Sequence, residues 1–282
     1  MGQNNAKSPP PAMTWQPERQ PHIPVPDGWG YFRAARRAVP LLIGIGLLLL
    51  LLLLVRLVER PLVGERRTVT LWIKQQGCRW ALFCMGIGLD RVGADSAQAG
   101  AVVANHSSWL DIFVLGAAAP VTFVSKAEVA TWPLIGPLAK ATGTVFITRD
   151  SREAAEQVAM MRDRFAAGQR LLFFPEGTST DGQRVLPFRT TLFAAICAAE
   201  QSLPIAVQPV SVRYAAPVGA DPLLYGWFGS MGFAAHFLAV LAQKRQGRVR
   251  VLFQPALPVT AQSDRKTLAA QSEAAVRAGL SA

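Results

Sequence analysis

The chain has 282 residues, enough for one large domain with an attachment, and 51% of them are hydrophobic against 17% charged, a balance that leaves more apolar surface than a soluble globule needs. Lys and Arg number 29 against 18 Asp and Glu, a net charge of +11; this excess is dispersed and fits an anionic membrane, an acidic partner or nucleic acid by charge alone. Three cysteines, Cys78, Cys84 and Cys197, with no C-x-x-C spacing, argue against a disulfide framework or a zinc site and suit a reducing compartment.

The first segment is rich in proline (Pro9, Pro10, Pro11, Pro17, Pro21, Pro24, Pro26). Its many fixed φ angles and missing N–H donors oppose helix and sheet, so residues 1–37 are expected to form a disordered tail, with His22 a solvated side chain in it. From Ala38 to Val55 the chain is uninterruptedly apolar, and a helix of this length reaches roughly 27 Å, close to the hydrocarbon thickness of a bilayer. Arg33, Arg36 and Arg37 precede the run and Arg56, Arg60, Arg66 and Arg67 follow it, a slight bias toward a cytoplasmic C-terminal domain on the inner membrane. WALFCMGIGL (Trp80–Leu89) is a second apolar stretch too short to span. Residues 38–90 are therefore expected to be a membrane-embedded or interfacial unit, either one spanning helix or a helical hairpin dipping into one leaflet.

From residue 91 a catalytic-sized domain is expected. Strand-like runs GAVVAN, PVTFVSK, TVFITR, RLLFF, PIAVQPVSVRY and VRVLFQPAL alternate with helix-like stretches. This is the signature of an α/β fold with a central, mostly parallel sheet covered by helices. In Ser151–Ala167, Ala155, Val158, Met161 (or Met160) and Phe165 recur at helical spacing and Gly168 stands where a C-cap glycine belongs, predicting an amphipathic covering helix.

Loops at strand ends are where such folds keep their chemistry. In the turn after GAVVAN, NHSSWLD (Asn105–Asp111), Ser108 and Asp111 have capping-box spacing, so helix capping alone accounts for Asp111. It does not account for His106. An imidazole just before the cap, with one nitrogen held by Asp111 and the other directed outward, has the layout of an oriented general base. Ser107 and Ser108 read as loop and cap residues, since the chain has no G-x-S-x-G elbow. In FFPEGTSTDG (Phe173–Gly182), Pro175 ends a buried strand, Glu176 is expected to project a carboxylate at the strand end, and Gly177 lets backbone approach a ligand. TVFITR delivers Arg149, a side chain able to grip a phosphate or carboxylate with two bonds. His236, among apolar residues, is expected to be a partly buried histidine with a local partner. Lys244, Arg245, Arg248 and Arg250 form a basic cluster that suits anionic headgroups or an acidic carrier protein. No recognisable nucleic-acid module accompanies the basic charge.

NHSSWLD, FVSKAEVATWPLIG with GTVFITRD, FFPEGTS and LPIAVQPV, taken in this order, resemble the glycerolipid acyltransferase family, in particular the 1-acylglycerol-3-phosphate acyltransferases. The resemblance implies a glycerolipid acyltransferase-like α/β domain, with His106 as the base that deprotonates an acceptor hydroxyl and Asp111 orienting it. It implies that Arg149, Glu176 and Gly177, with Thr178 and Ser179 following, form the acceptor site, that Lys126 and Gly136 lie in the segment linking the first two motifs, and that Pro204 lies in an apolar fourth motif. The implied reaction is transfer of an acyl chain from coenzyme A or acyl carrier protein to a lysolipid hydroxyl. No metal or bound cofactor is implied; the partners are membrane lipids, the lysolipid acceptor and a carrier protein, and not nucleic acid. The main expectation is 1-acylglycerol-3-phosphate as acceptor. One departure qualifies it: the phosphatidic-acid-forming enzymes commonly read FPEGTR, whereas here Ser179 follows Thr178, leaving Arg149, Lys126 or Arg184 to meet a phosphate. FPEGTSTDG together with YGWFGSMGF (Tyr225–Phe233) is similar to the lyso-ornithine lipid branch, the alternative acceptor reading. A membrane-anchored binding protein and a hydrolase that passes the acyl group to water are the rivals.

Overall fold

The computed structural model describes residues 15, 23–64, 66–96, 99–133, 135–148, 151–200 and 204–281; His22 and Arg149 lie outside them. The chain enters through α1 (Gly28–Val63), a helix of 36 residues and about 54 Å. It begins ten residues ahead of the apolar run, so residues 28–37 are helical and do not belong to the proline-rich tail. Asp27 supplies the reason locally, accepting from the Gly30 N–H as N-cap. Tertiary contacts supply the rest. Arg33 Nε donates to the Ala242 carbonyl at 2.7 Å, and Arg37 Nη1 donates to those of Leu241 and Gln243, each at 2.6 Å. These are the last carbonyls of α7 (Phe233–Ala242), which have no partner within their own helix and favour positive charge. Two of the arginines read as flanking charge for a membrane segment are thus docking groups.

Helix α2 (Thr68–Met85) returns along α1 and makes the pair a hairpin. A Cβ on Gly44 would lie 1.9 Å from Trp80 Nε1, so glycine is what lets the indole seat against α1 and donate to the Pro40 carbonyl at 3.0 Å. At the far end Glu59 accepts from the Val69 and Thr70 N–H groups, capping α2 with a carboxylate from its neighbour. Arg67 lies against Gly143 in the turn beyond α4 (Ile135–Ala141). Both ends of the hairpin therefore rest on one domain, and α1 runs along its face with Leu42, Ile43, Leu47, Leu50, Leu54 and Leu57 outward and exposed.

The remaining strands are β1 (Gly88–Val92), β2 (Ala99–Ala104), β3 (Thr122–Lys126), β4 (Val145–Ile147), β5 (Leu171–Phe173), β6 (Ala206–Ala215), β7 (Arg248–Phe253) and β8 (Leu257–Pro258). They form one sheet in the order β1-β7-β6-β2-β5-β3-β4, with β8 beside β6. The pairs of β2 with β5 and β6, and of β3 with β4 and β5, are parallel, while β7 runs antiparallel to β6. The expected mostly parallel sheet is present. Alternation along β2 divides the core: Val102 and Ala104 face α1, α2, α7 and α3 (Leu110–Ala118), whereas Ala101 and Val103 face α5 (Ala154–Ala166), α6 (Thr191–Glu200) and α8 (Arg265–Ser281). In α5 Met161 and Phe165 are buried, and Gly168 has φ +74, as the helical spacing predicts. Two elements carry no strong pattern in sequence. β1 mixes Asp90 and Arg91 with apolar residues because it is an edge strand, and Asp90 pairs with Arg250. α8 is short of large apolar residues because it lies very close to β6, where Ser211 Oγ donates to the Val276 carbonyl and a Cβ on Gly279 would clash with Ser211.

Replacing Gly44 by Ala should force the hairpin apart at Trp80 and lower stability by about 1–3 kcal/mol. Thermal unfolding in detergent checks this, and an unchanged midpoint would show that the Trp80 seat is not close-packed.

Candidate active site

Because β2, β3, β4 and β5 are parallel, their C-terminal ends open on one edge of the sheet, where α/β folds bind ligands. β2 leads into His106, β5 into Glu176, and β3 ends on Lys126, which is half-buried; Arg149 follows β4 beyond the described residues.

His106 Nδ1 lies 2.8 Å from Asp111 Oδ2. The same oxygen accepts from the backbone N–H of Ser107 at 2.7 Å and of Ser108 at 3.0 Å. An oxygen that already accepts two N–H bonds is an acceptor site, which assigns the proton of the third contact to Nδ1. The lone pair on Nε2 is then free. Among the described residues Nε2 has no hydrogen-bond partner, and the His106 side chain is 21% exposed, stacked on Phe174 with ring centroids 4.1 Å apart. Asp111 is fully buried. Of the expected capping box only the return bond forms, from the Ser108 N–H to Asp111; Ser108 Oγ accepts from the Leu110 N–H and the Asp111 N–H donates to the Ser108 carbonyl. Capping and orienting are not rivals: one carboxylate closes the first turn of α3 and holds the imidazole. The other Asp111 oxygen, Oδ1, accepts from the Tyr214 hydroxyl at 2.7 Å, a contact no spacing in the sequence foretells.

Glu176 does not project from its strand. It is 2% exposed, its Oε1 accepts from the His106 N–H and its Oε2 from the Leu186 N–H, both at 2.7 Å. Burial pushes its carboxyl up to about 8, against the opposing pull of these two donors. The same loop holds His106 from its other side, Thr180 N–H donating to the His106 carbonyl at 2.9 Å. The backbone of the histidine is thus fixed at both polar atoms by the FPEGTST segment. Trp227 N–H donates to the Ser107 carbonyl at 2.8 Å. Trp109 Nε1 donates to His236 Nδ1 at 2.9 Å, and His236 Nε2 donates to the Leu224 carbonyl at 3.1 Å. Burial lowers His236 to about 4, keeping it neutral, so the expected local partner is a tryptophan of the histidine loop itself.

Gly177 has φ +71 and lies under the Arg189 guanidinium. Thr178 and Ser179 are half-buried. Arg184 pairs with Asp181 at 3.0 Å and lies over the Trp15 ring, 5.3 Å from its centroid. Gly136 is required by packing, since a Cβ there would sit 2.3 Å from the Ala130 carbonyl oxygen, and Pro204 is exposed just ahead of β6. Among the described residues no group of three or more His, Cys, Asp or Glu side chains comes together as a metal site.

A histidine held by a buried carboxylate at the C-terminal edge of an α/β sheet is an arrangement suited to acyl transfer or hydrolysis, and comparison with known proteins narrows the class. The sequence model of the Acyltransferase family matches residues 92–213. A lyso-ornithine lipid O-acyltransferase of Rhodobacter capsulatus is 48% identical over 266 residues, covering 94% of this chain and 96% of that protein. The chain therefore belongs to the acyltransferase family. A 1-acyl-sn-glycerol-3-phosphate acyltransferase of Neisseria gonorrhoeae is 37% identical over 148 residues, 50% of this chain and 58% of that one. The crystal structure of the 1-acyl-sn-glycerophosphate acyltransferase PlsC from Thermotoga maritima shares the fold, with a TM-score of 0.56 at 19% identity over 83% of this chain and 94% of that one.

Glu176 makes stability depend on pH. Its carboxyl ionises near 4.5 when unfolded and near 8 when folded, so the unfolded chain loses its proton first and the folded state is progressively disfavoured as pH rises across that interval. The melting temperature of the parent should fall from pH 5 to 8 relative to Glu176→Gln, which has nothing to titrate; parallel profiles would mean the buried carboxyl is ionised throughout.

Proposed function

We propose that the protein is a lyso-ornithine lipid O-acyltransferase, moving an acyl chain from a thioester on coenzyme A or acyl carrier protein to the free hydroxyl of the lysolipid. The observation that carries the acceptor is the 48% identity to the Rhodobacter relative across 94% of the chain, where the match to the Neisseria 1-acylglycerol-3-phosphate enzyme spans 50%. Ser179 supports it. The guanidinium that would face a phosphate monoester at this position is replaced by a hydroxyl with no partner among the described residues. Phosphatidic acid formation, the main expectation from the motifs, becomes the second reading.

The chemistry follows from the geometry. His106 Nε2 takes the proton of the acceptor hydroxyl, its Nδ1–H staying on Asp111, which stabilises the imidazolium that forms. The oxygen attacks the thioester carbonyl, the C–S bond breaks, and the departing sulfur takes the proton back from Nε2. An ester and a free thiol result. Stacking on Phe174 and the two backbone bonds from the FPEGTST loop limit the ring to one placement, so little reorganisation accompanies the transfer. Directly after Asp111, Ile112 and Phe113 line an apolar cavity with Ile45, Leu48, Ile73 and Leu138 from α1, α2 and α4. We assign the acyl chain to it. The exposed leucine face of α1 enters a membrane along its length, with the domain on the cytoplasmic side, a placement that the thiols of Cys78, Cys84 and Cys197, none of them in a disulfide, suit.

Purified protein offered lyso-ornithine lipid and lysophosphatidic acid side by side should acylate the first at higher kcat/KM; a preference for the second reverses the acceptor. Replacing His106 by Ala should lower transfer by at least about 100-fold while membrane association persists, and activity near the parent's would remove the base from the mechanism. Gly77 lines the cavity with only Leu48 Cδ1 near a Cβ, at 3.8 Å. Gly77→Phe should fill the space and shift kcat/KM toward shorter acyl donors, and an unaltered chain-length profile would move the acyl site elsewhere.

A further inference from the structure

Asp111 has two oxygens, and orienting the imidazole occupies one. Oδ2 carries His106 and the two loop N–H groups. Oδ1 accepts from Tyr214 at 2.7 Å across 103 residues of sequence, and no other donor reaches it among the described residues. Tyr214 is the penultimate residue of β6. Its ring lies against Tyr225 with centroids 5.6 Å apart, and the Tyr225 hydroxyl is engaged elsewhere, with Gln246 Oε1 and the Gly247 N–H. Tyr214 is thus the one hydroxyl presented to the rear of the carboxylate.

We propose that Tyr214 is a positioning residue of the acyl transfer, which sets the proton affinity of His106 by sharing the negative charge of Asp111. The inference rests on His106 being the base. A carboxylate whose charge is drawn toward a phenol on Oδ1 offers less to an imidazolium on Oδ2, so the histidine releases its proton more readily to the leaving thiolate. Burial and the adjacent Asp111 hold the phenol well above its ordinary value, so it remains a donor wherever the enzyme works. The other groups facing this cluster act differently. From the β5 loop, Glu176 is engaged with the backbone of His106 and Leu186. Behind Tyr214, Tyr225 and, from α1, Arg37 face each other, and neither touches Asp111. The geometry of Oδ2 does not depend on the phenol either, because Ser107 and Ser108 hold it independently.

Replacing Tyr214 by Phe removes the hydroxyl and keeps the ring. Oδ1 is then a buried oxygen without a donor, more charge is available to the imidazolium, and the acid limb of the kcat/KM profile should move to higher pH by about half a unit or more. The KM values for donor and acceptor should stay as in the parent. Introducing 3-fluorotyrosine at position 214, a stronger donor of nearly the same volume, should move the limb the opposite way, and it provides the reading if the Phe variant folds poorly. Tyr225→Phe, which removes a hydroxyl one ring further off, should leave the limb in place. A parent-like limb in both Tyr214 proteins, with only the unfolding temperature altered, overturns the proposal and leaves Tyr214 a packing residue. The His106→Ala protein separates this from failure of the base itself: if it is active the base reading falls, whereas a dead His106→Ala with unmoved Tyr214 limbs removes the role of Tyr214 alone.

Discussion

A single buried carboxylate organises the chemistry of this protein. Asp111 has no contact with solvent, and a charge in that position persists only if its lone pairs are met by donors. Four donors meet them: the His106 ring, the Ser107 and Ser108 backbone, and the Tyr214 hydroxyl. Each bond that makes the burial tolerable also fixes a part of the site. The backbone pair sets the loop conformation, the imidazole bond sets the tautomer, and the tyrosine ties the loop to a distant strand.

The same economy extends to the second motif loop. Glu176 reads from sequence as a carboxylate directed at substrate, but its oxygens are taken by the N–H groups of His106 and Leu186, and Thr180 takes the His106 carbonyl. The FPEG turn therefore holds the backbone of His106 with the carboxylate that the sequence pointed outward. Trp227 and His236, reaching in from the region after β6, secure Ser107 and Trp109. The histidine loop is held by β6, by the FPEGTST loop and by the region after β6, and Thr178, Ser179 and Lys126 are half-buried at strand ends on the same edge.

The helical hairpin gives the domain an exposed apolar face. Arg33 and Arg37 fasten one end of α1 to α7, Arg67 rests near the turn after α4 at the other, and the leucine face between them is open. A helix tied to its own domain at both ends presents its length, rather than its tip, to whatever apolar phase it meets. Its inner face lines the same cavity as α3, so the hairpin and the helix that begins at the histidine loop share one apolar space.

Much of this was legible in the sequence, because periodicity and local chemistry act over a few residues. Short apolar strand runs, the amphipathic α5 with its terminal glycine, the apolar α1 and the five-residue separation of His106 and Asp111 all express forces between near neighbours. The order of the motifs along the chain identified the family for the same reason. What only the tertiary structure decided are matters of distance: that Asp111 both caps and orients, that Tyr214 stands behind it, that Glu176 turns inward, and that Arg33 and Arg37 serve α7 instead of a membrane surface. α8, with few large side chains, acquires its place from close contact with β6, which leaves no periodic trace. A buried polar atom takes the nearest available partner in space, and that partner can lie a hundred residues away, where spacing along the chain carries no information about it.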